Sequence, residues 1–160
     1  LFEKEIYMQF TKLKLVSAVR RRKSAADIRR EKLLGKLDDQ IGLATAMIAG
    51  TEFQGKRSRV VVDADGRRER ALVATRVKQW WWKASEGKLL FTVNYGTRAL
   101  ELAKGKTAIE VGSMQELVDA LQSVRAAAEA GELDGHIETA SAALGVAFKR
   151  KTVKTGARAS

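Results

Sequence analysis

The chain has 160 residues, 45% hydrophobic and 31% charged, which is apolar material for one core with no length for a second. It contains no cysteine, so disulfides, Cys-ligated zinc and thiol nucleophiles are excluded. A formal charge of +11, no apolar run near the ~18 residues of a membrane span and no charged-then-apolar leader argue against export or insertion, and point to a cytoplasmic protein with an anionic partner.

Residues 1–7 read as a translated leader, because Lys4-Glu5 can be encoded by AAG-GAG, a ribosome-binding sequence just upstream of Met8. From Met8 to Leu37, ten Lys/Arg stand against Asp27 and Glu31, a net of +8. Residues 1–23 are therefore expected to form a basic arm, with Arg20, Arg21, Arg22 and Lys23 as an unbroken cationic run. Ser24 with Asp27 marks a helix start. Leu34, Leu37, Ile41, Ala44 and Ile48 then recur at helical spacing until Gly50. The cations continue on this helix as Arg29, Lys32 and Lys36. Gly35 and Gly42 share one of its faces, as at a close contact.

From Arg57 the period becomes two and the residues β-branched or aromatic. Residues 59–62 run into a turn at Asp63-Ala64-Asp65-Gly66 and return as 70–73; a second pair is predicted at Thr75–Lys83 and Lys88–Tyr95 around Ser85-Glu86-Gly87. Short strands at 98–102 and 106–111 flank Lys104-Gly105. Ser113 with Glu116 predicts a capping box, and Met114, Leu117, Val118, Leu121 and Val124 an apolar helix face that covers one side of the sheet. A last helix is predicted over 133–148, and a disordered basic tail over 149–160. The domain proper is then 24–148. Its middle is basic, with 13 Lys/Arg against 6 acids over 53–111, and 112–145 is acidic, with 1 against 6. Such segregation is the usual footprint of phosphate binding, though anionic membranes or acidic proteins would also suit it.

Enzymatic chemistry finds little support. His136 stands alone, without cysteine or a second histidine. Gly105-Lys106-Thr107 resembles the end of a phosphate loop, but Leu100 occupies the position that needs glycine. Asp63-Ala64-Asp65-Gly66 lacks the further ligands of a calcium loop, and Glu101 with Lys104 lacks a second acid for a metal-dependent nuclease. No catalytic residue, metal site or cofactor is expected.

The stretch 76–82 carries the functional signal. Alternation puts Arg76, Lys78, Trp80 and Trp82 on one face and Val77, Gln79 and Trp81 on the other. A three-residue loop with Gly87 left-handed sets Ala84 opposite Lys88, Trp82 opposite Leu90, Trp80 opposite Thr92 and Lys78 opposite Asn94. Trp81 then sides with Leu89, Phe91 and Val93 as core. Rings beside cations suit unpaired bases, which stack on the rings while Lys and Arg follow the phosphates. The competing reading makes the tryptophans large hydrophobes under a helix or at a subunit contact, and one residue of slip exchanges the faces.

Residues 76–130, with this strand, a hairpin, Lys104-Gly105-Lys106, Ile109-Glu110-Val111 and a capped helix, resemble the single-stranded-DNA-binding coactivators of the positive cofactor four type. The resemblance implies a curved antiparallel sheet followed by a helix, and a homodimer gripping unpaired DNA with Arg76, Lys78, Trp80, Arg98, Lys104 and Lys106. Ala108 departs from that family, which often has glycine before the isoleucine. The whole chain also resembles small basic proteins of unassigned function from proteobacterial phages and integrated elements. The expectation is an α+β protein with a long N-terminal helix, an antiparallel sheet of four to six strands, two C-terminal helices and disordered basic ends. Its expected partner is nucleic acid, single-stranded DNA favoured over RNA and with little sequence preference. The alternative is a protein-interaction module, such as a phage-encoded inhibitor of a host or defence complex, or a subunit of a nucleoprotein assembly.

Overall fold

A computed structural model of the chain describes residues 10–156, and their side chains as far as Val153. The leader expected at 1–7 and the last four residues of the tail lie outside the described residues. Residues 14–24 carry no helix or strand and are exposed.

Helix α1 spans Ala25–Ala49. Its start is a capping box: the Ser24 hydroxyl accepts from Asp27 N at 3.1 Å, and the Asp27 carboxylate accepts from Ser24 N at 3.2 Å. The buried row is Leu33, Leu37, Gln40 and Ala44. It sits one residue before the expected Leu34 and Ile41, which are half-buried at its flank. Ile48 is exposed, whereas Ala46 in the same turn is buried. Gly42 marks a true close approach, since a Cβ there would lie 2.5 Å from the Phe53 ring. Gly35 faces open space.

The strands form three antiparallel sheets rather than the single sheet expected. Strands β1 (Gly55–Val62) and β2 (Arg68–Thr75) pair only with each other, from Gly55 opposite Thr75 to Val62 opposite Arg68. Their turn is held by the Asp63 carboxylate, which accepts from Asp65 N at 3.0 Å and Arg67 N at 2.8 Å. Strands β3 (Trp81–Lys83), β4 (Leu89–Thr92) and β7 (Ala108–Val111) make the central sheet, in the order β3-β4-β7. Strands β5 (Asn94–Tyr95) and β6 (Arg98–Ala99) pair separately. The β3–β4 register is the expected one: Trp82 stands opposite Leu90, and Ala84 N donates to Lys88 O at 2.8 Å. Gly87 takes the left-handed φ of 76° that this short loop needs.

Upstream of Trp81 the predicted strand fails. Residues 76–80 leave the ladder, and their backbone partner is a side chain. Gln40 of α1, 2% exposed, accepts from Trp80 N at 3.0 Å and donates to Lys78 O at 2.9 Å. Only Thr92 N, donating to Trp80 O at 3.3 Å, keeps the expected pairing. Asn94 pairs with Ala99 and not with Lys78.

Helix α2 (Met114–Glu129) buries Leu117, Val118 and Leu121, with Met114 and Val124 half-buried, against α1 and β7. The face expected to cover a sheet therefore packs largely on a helix. Ser113 caps it, while the Glu116 carboxylate accepts from Gly112 N at 2.7 Å, one residue before the expected box partner. Helix α3 spans Asp134–Gly156 and adds Ile137 and Ala140 to the core. Arg30 ties α1 to its first turn through a two-pronged contact with Asp134, and the hydrogen bond from Arg30 holds that carboxyl below its usual range. Residues 149–156 continue α3 instead of forming a disordered tail. No proline interrupts them, and Lys149, Arg150, Lys151 and Lys154 favour helix. No helix among the described residues is long and apolar enough to cross a membrane.

Candidate nucleic-acid interface

Where residues 76–80 bend away from the sheet, they open a cleft of about 570 Å³ against α1 and the base of the β1–β2 hairpin. Helix α1 supplies Lys36, Asp39 and Gln40; β1 supplies Arg57 and Arg59; the bent segment supplies Arg76, Lys78 and Trp80. Asn94 and Thr97 close the far side. The Gln40 amide thus does two things. It satisfies the backbone of the bend, and it fixes Arg76 and Lys78 beside the helix.

Five cations meet there, and none of them lies within ion-pair distance of a carboxylate among the described residues. Asp39 is the cleft's single acid, and burial, then the charge of Asp38, pushes its carboxyl up from the ordinary range. The site is therefore a concentration of uncompensated positive charge with amide and hydroxyl donors around it, suited to phosphate oxygens.

Of the residues expected from sequence, the structure unites Lys36, Arg76, Lys78 and Trp80. Lys32 and Arg29 lie four and seven residues before Lys36, on the same side of α1. Arg29 borders a small pocket with Asp134 and Glu138. Arg20, Arg21 and Arg22 are exposed in the arm, while Lys23 pairs with Glu31 at 2.6 Å. Arg98 and Lys104 border a different pocket, with Glu101 and His136, and Lys106 is exposed in the turn after it. Sequence reasoning missed Arg57 and Arg59. The signal was their spacing of two on one strand, which puts both on one face.

The tryptophans divide differently from the alternation. Trp81 is buried opposite Phe91, as expected. Trp82 keeps 44% exposure on the edge strand β3. Trp80 was expected beside it on an open face, but is 9% exposed and joins the core, with only an edge on the cleft. The physical reason is the bend: once residues 76–80 leave the ladder, the two-residue period no longer governs where Trp80 points.

No curated protein and no solved structure matches the chain. Residues 4–137 match the model of a family of unknown function, DUF6641, and the chain belongs to that family.

Proposed function

We propose that the protein binds nucleic acid, preferably single-stranded and with little sequence preference, through the cleft between α1, β1 and the 76–80 bend. The observation that carries this reading is the convergence of Lys36, Arg57, Arg59, Arg76 and Lys78 without a carboxylate partner. Like charges held this close repel one another, and a polyanion relieves them. The cleft has the volume of a small-ligand pocket, room for a nucleotide or two and not for a duplex. Only an edge of the Trp80 ring reaches the cleft, and the exposed arm offers further phosphate contacts. The resemblance of residues 76–130 to single-stranded-DNA-binding coactivators supports the same choice, and the setting in a phage or integrated element rests on resemblance alone.

The half-exposed Trp82 on an unpaired strand edge favours a second reading, in which that edge is the core of a protein interface. A low-salt preparation separates the two. The nucleic-acid reading expects co-purified polynucleotide, seen in the absorbance ratio, and its loss in the Arg57→Ala/Arg76→Ala protein at an unchanged melting temperature. A nucleic-acid-free parent that leaves labelled single strands unbound at low salt would overturn it.

A further inference from the structure

We propose that the β1–β2 hairpin is a second nucleic-acid contact, an arm that lies in the major groove of a B-form DNA duplex next to the single strand in the cleft. The protein would then recognise the junction between paired and unpaired DNA. The junction rests on the cleft reading above; the arm rests on its own observations.

From Lys56 to Ala74 no residue is buried, and both strands pair only with each other. A free two-stranded ribbon is marginal in water, so eight fully paired positions with no supporting layer indicate a surface kept for a partner. The register divides its side chains. Arg57 and Arg59 lie on the cleft side, with Glu69 opposite Val61 on that same face. The outer face carries Lys56, Arg68 and Arg70 around Val60, Val62 and Leu72, which are 57%, 64% and 72% exposed. No acid shares that face, and none of its three cations pairs with a carboxylate among the described residues.

The charge selects the occupant. A second copy would set three cations against three cations, and an apolar protein surface would leave them unmatched. Duplex DNA uses both kinds of side chain, since Arg and Lys meet phosphates and guanine edges while aliphatic groups meet thymine methyls. The dimensions agree: eight strand residues span roughly 25 Å, and a two-stranded ribbon enters a groove about 12 Å wide. The deep, narrow groove of A-form RNA does not admit it. Because successive β1 residues alternate between the cleft and the outer face, the two contacts are separated only by the thickness of one strand.

Fluorescence anisotropy tests this with a labelled single strand, a blunt DNA duplex, and a DNA duplex bearing a single-stranded tail. The parent should bind the tailed duplex about tenfold or more tighter than either part, because the linked contact acts at high effective concentration. Arg68→Ala/Arg70→Ala/Leu72→Ser, all at exposed positions, should lose that gain and keep the parent's single-strand affinity and melting temperature. A tailed duplex bound no better than the single strand would overturn the arm, as would a gain that survives the triple change. An equal gain on a tailed RNA duplex would overturn the groove, and a parent dimer that the triple change dissociates would show a second copy on this face. A parent that binds the duplexes but no single strand would overturn the cleft reading and the junction while leaving the arm.

Discussion

Replacing Gln40 by Leu should unfasten the cleft from the helix that builds it. Leucine nearly preserves the volume, so packing among Leu37, Trp80 and Ala44 changes little, but both hydrogen bonds of the amide disappear. A buried polar group left without a partner costs about 1–3 kcal/mol. Trp80 N–H is buried and bears that in full, whereas the Lys78 carbonyl borders the cleft and can turn to water, so the loss is about 2–4 kcal/mol. For a chain of this size that lowers the melting midpoint by roughly 5–12 °C. Arg76 and Lys78 ride on the freed segment, so single-strand affinity should fall on the order of tenfold, about 1.4 kcal/mol, as their positioning is lost. Tryptophan fluorescence reports the melt, since Trp80 and Trp81 both sit in the core. A Gln40→Leu protein with the parent's midpoint and the parent's affinity would refute the claim that this amide organises the site.

Other outcomes follow from the same geometry. Trp81→Ala and Trp80→Ala each empty a core position and should cost about 3–5 kcal/mol of stability. Trp82→Ala should leave the thermal melt nearly intact, and a loss of about 1–3 kcal/mol in single-strand affinity would identify it as a stacking ring; unchanged affinity would leave it to a protein contact. Deleting residues 8–23 should weaken binding to all sequences alike and flatten its salt dependence, because arm cations meet phosphates and not bases. The hydrogen bonds that hold Asp27 and Asp134 below the ordinary carboxylate range, from Ser24 and Arg30 respectively, stabilise the fold above that range and are lost as pH falls through the lowered values. Arg30→Gln should therefore flatten the acid side of a melting-temperature profile. Asp39 has the opposite sign: its raised carboxyl costs stability as pH rises and it ionises, so Asp39→Asn should melt higher at neutral pH and bind single strands more tightly.

The parts of the fold legible in the sequence are those set by local chemistry. Ser24 with Asp27, Gly50, and the Gly87 loop each act through backbone groups a few residues away, and each appears where the sequence puts it. The bend at 76–80 was not legible, because its hydrogen-bond partner lies 40 residues earlier on another element. One trace of it exists in the sequence. Gln40 continues the helical row of Leu33 and Leu37, and a lone amide in an apolar row implies a backbone to satisfy. The cleft was half legible for a related reason. Lys36, Arg76 and Lys78 stood out in charge runs, whereas Arg57 and Arg59 belong to it only because the hairpin base folds against that bend. The length of α3 escaped because a charged sequence without core residues reads as a tail, although it holds no proline and four of its residues from 149 to 156 are Lys or Arg.

The central claim is that the cleft cations neutralise phosphates, and the salt dependence of single-strand binding measures that most directly. Five such contacts predict that log K falls against log salt with a slope of about −3.5, before any contribution from the arm. Arg57→Ala/Arg59→Ala should reduce the slope by about 1.4 without lowering the melting temperature. A slope unchanged in that double variant, or binding in the parent that does not respond to salt, would contradict the account.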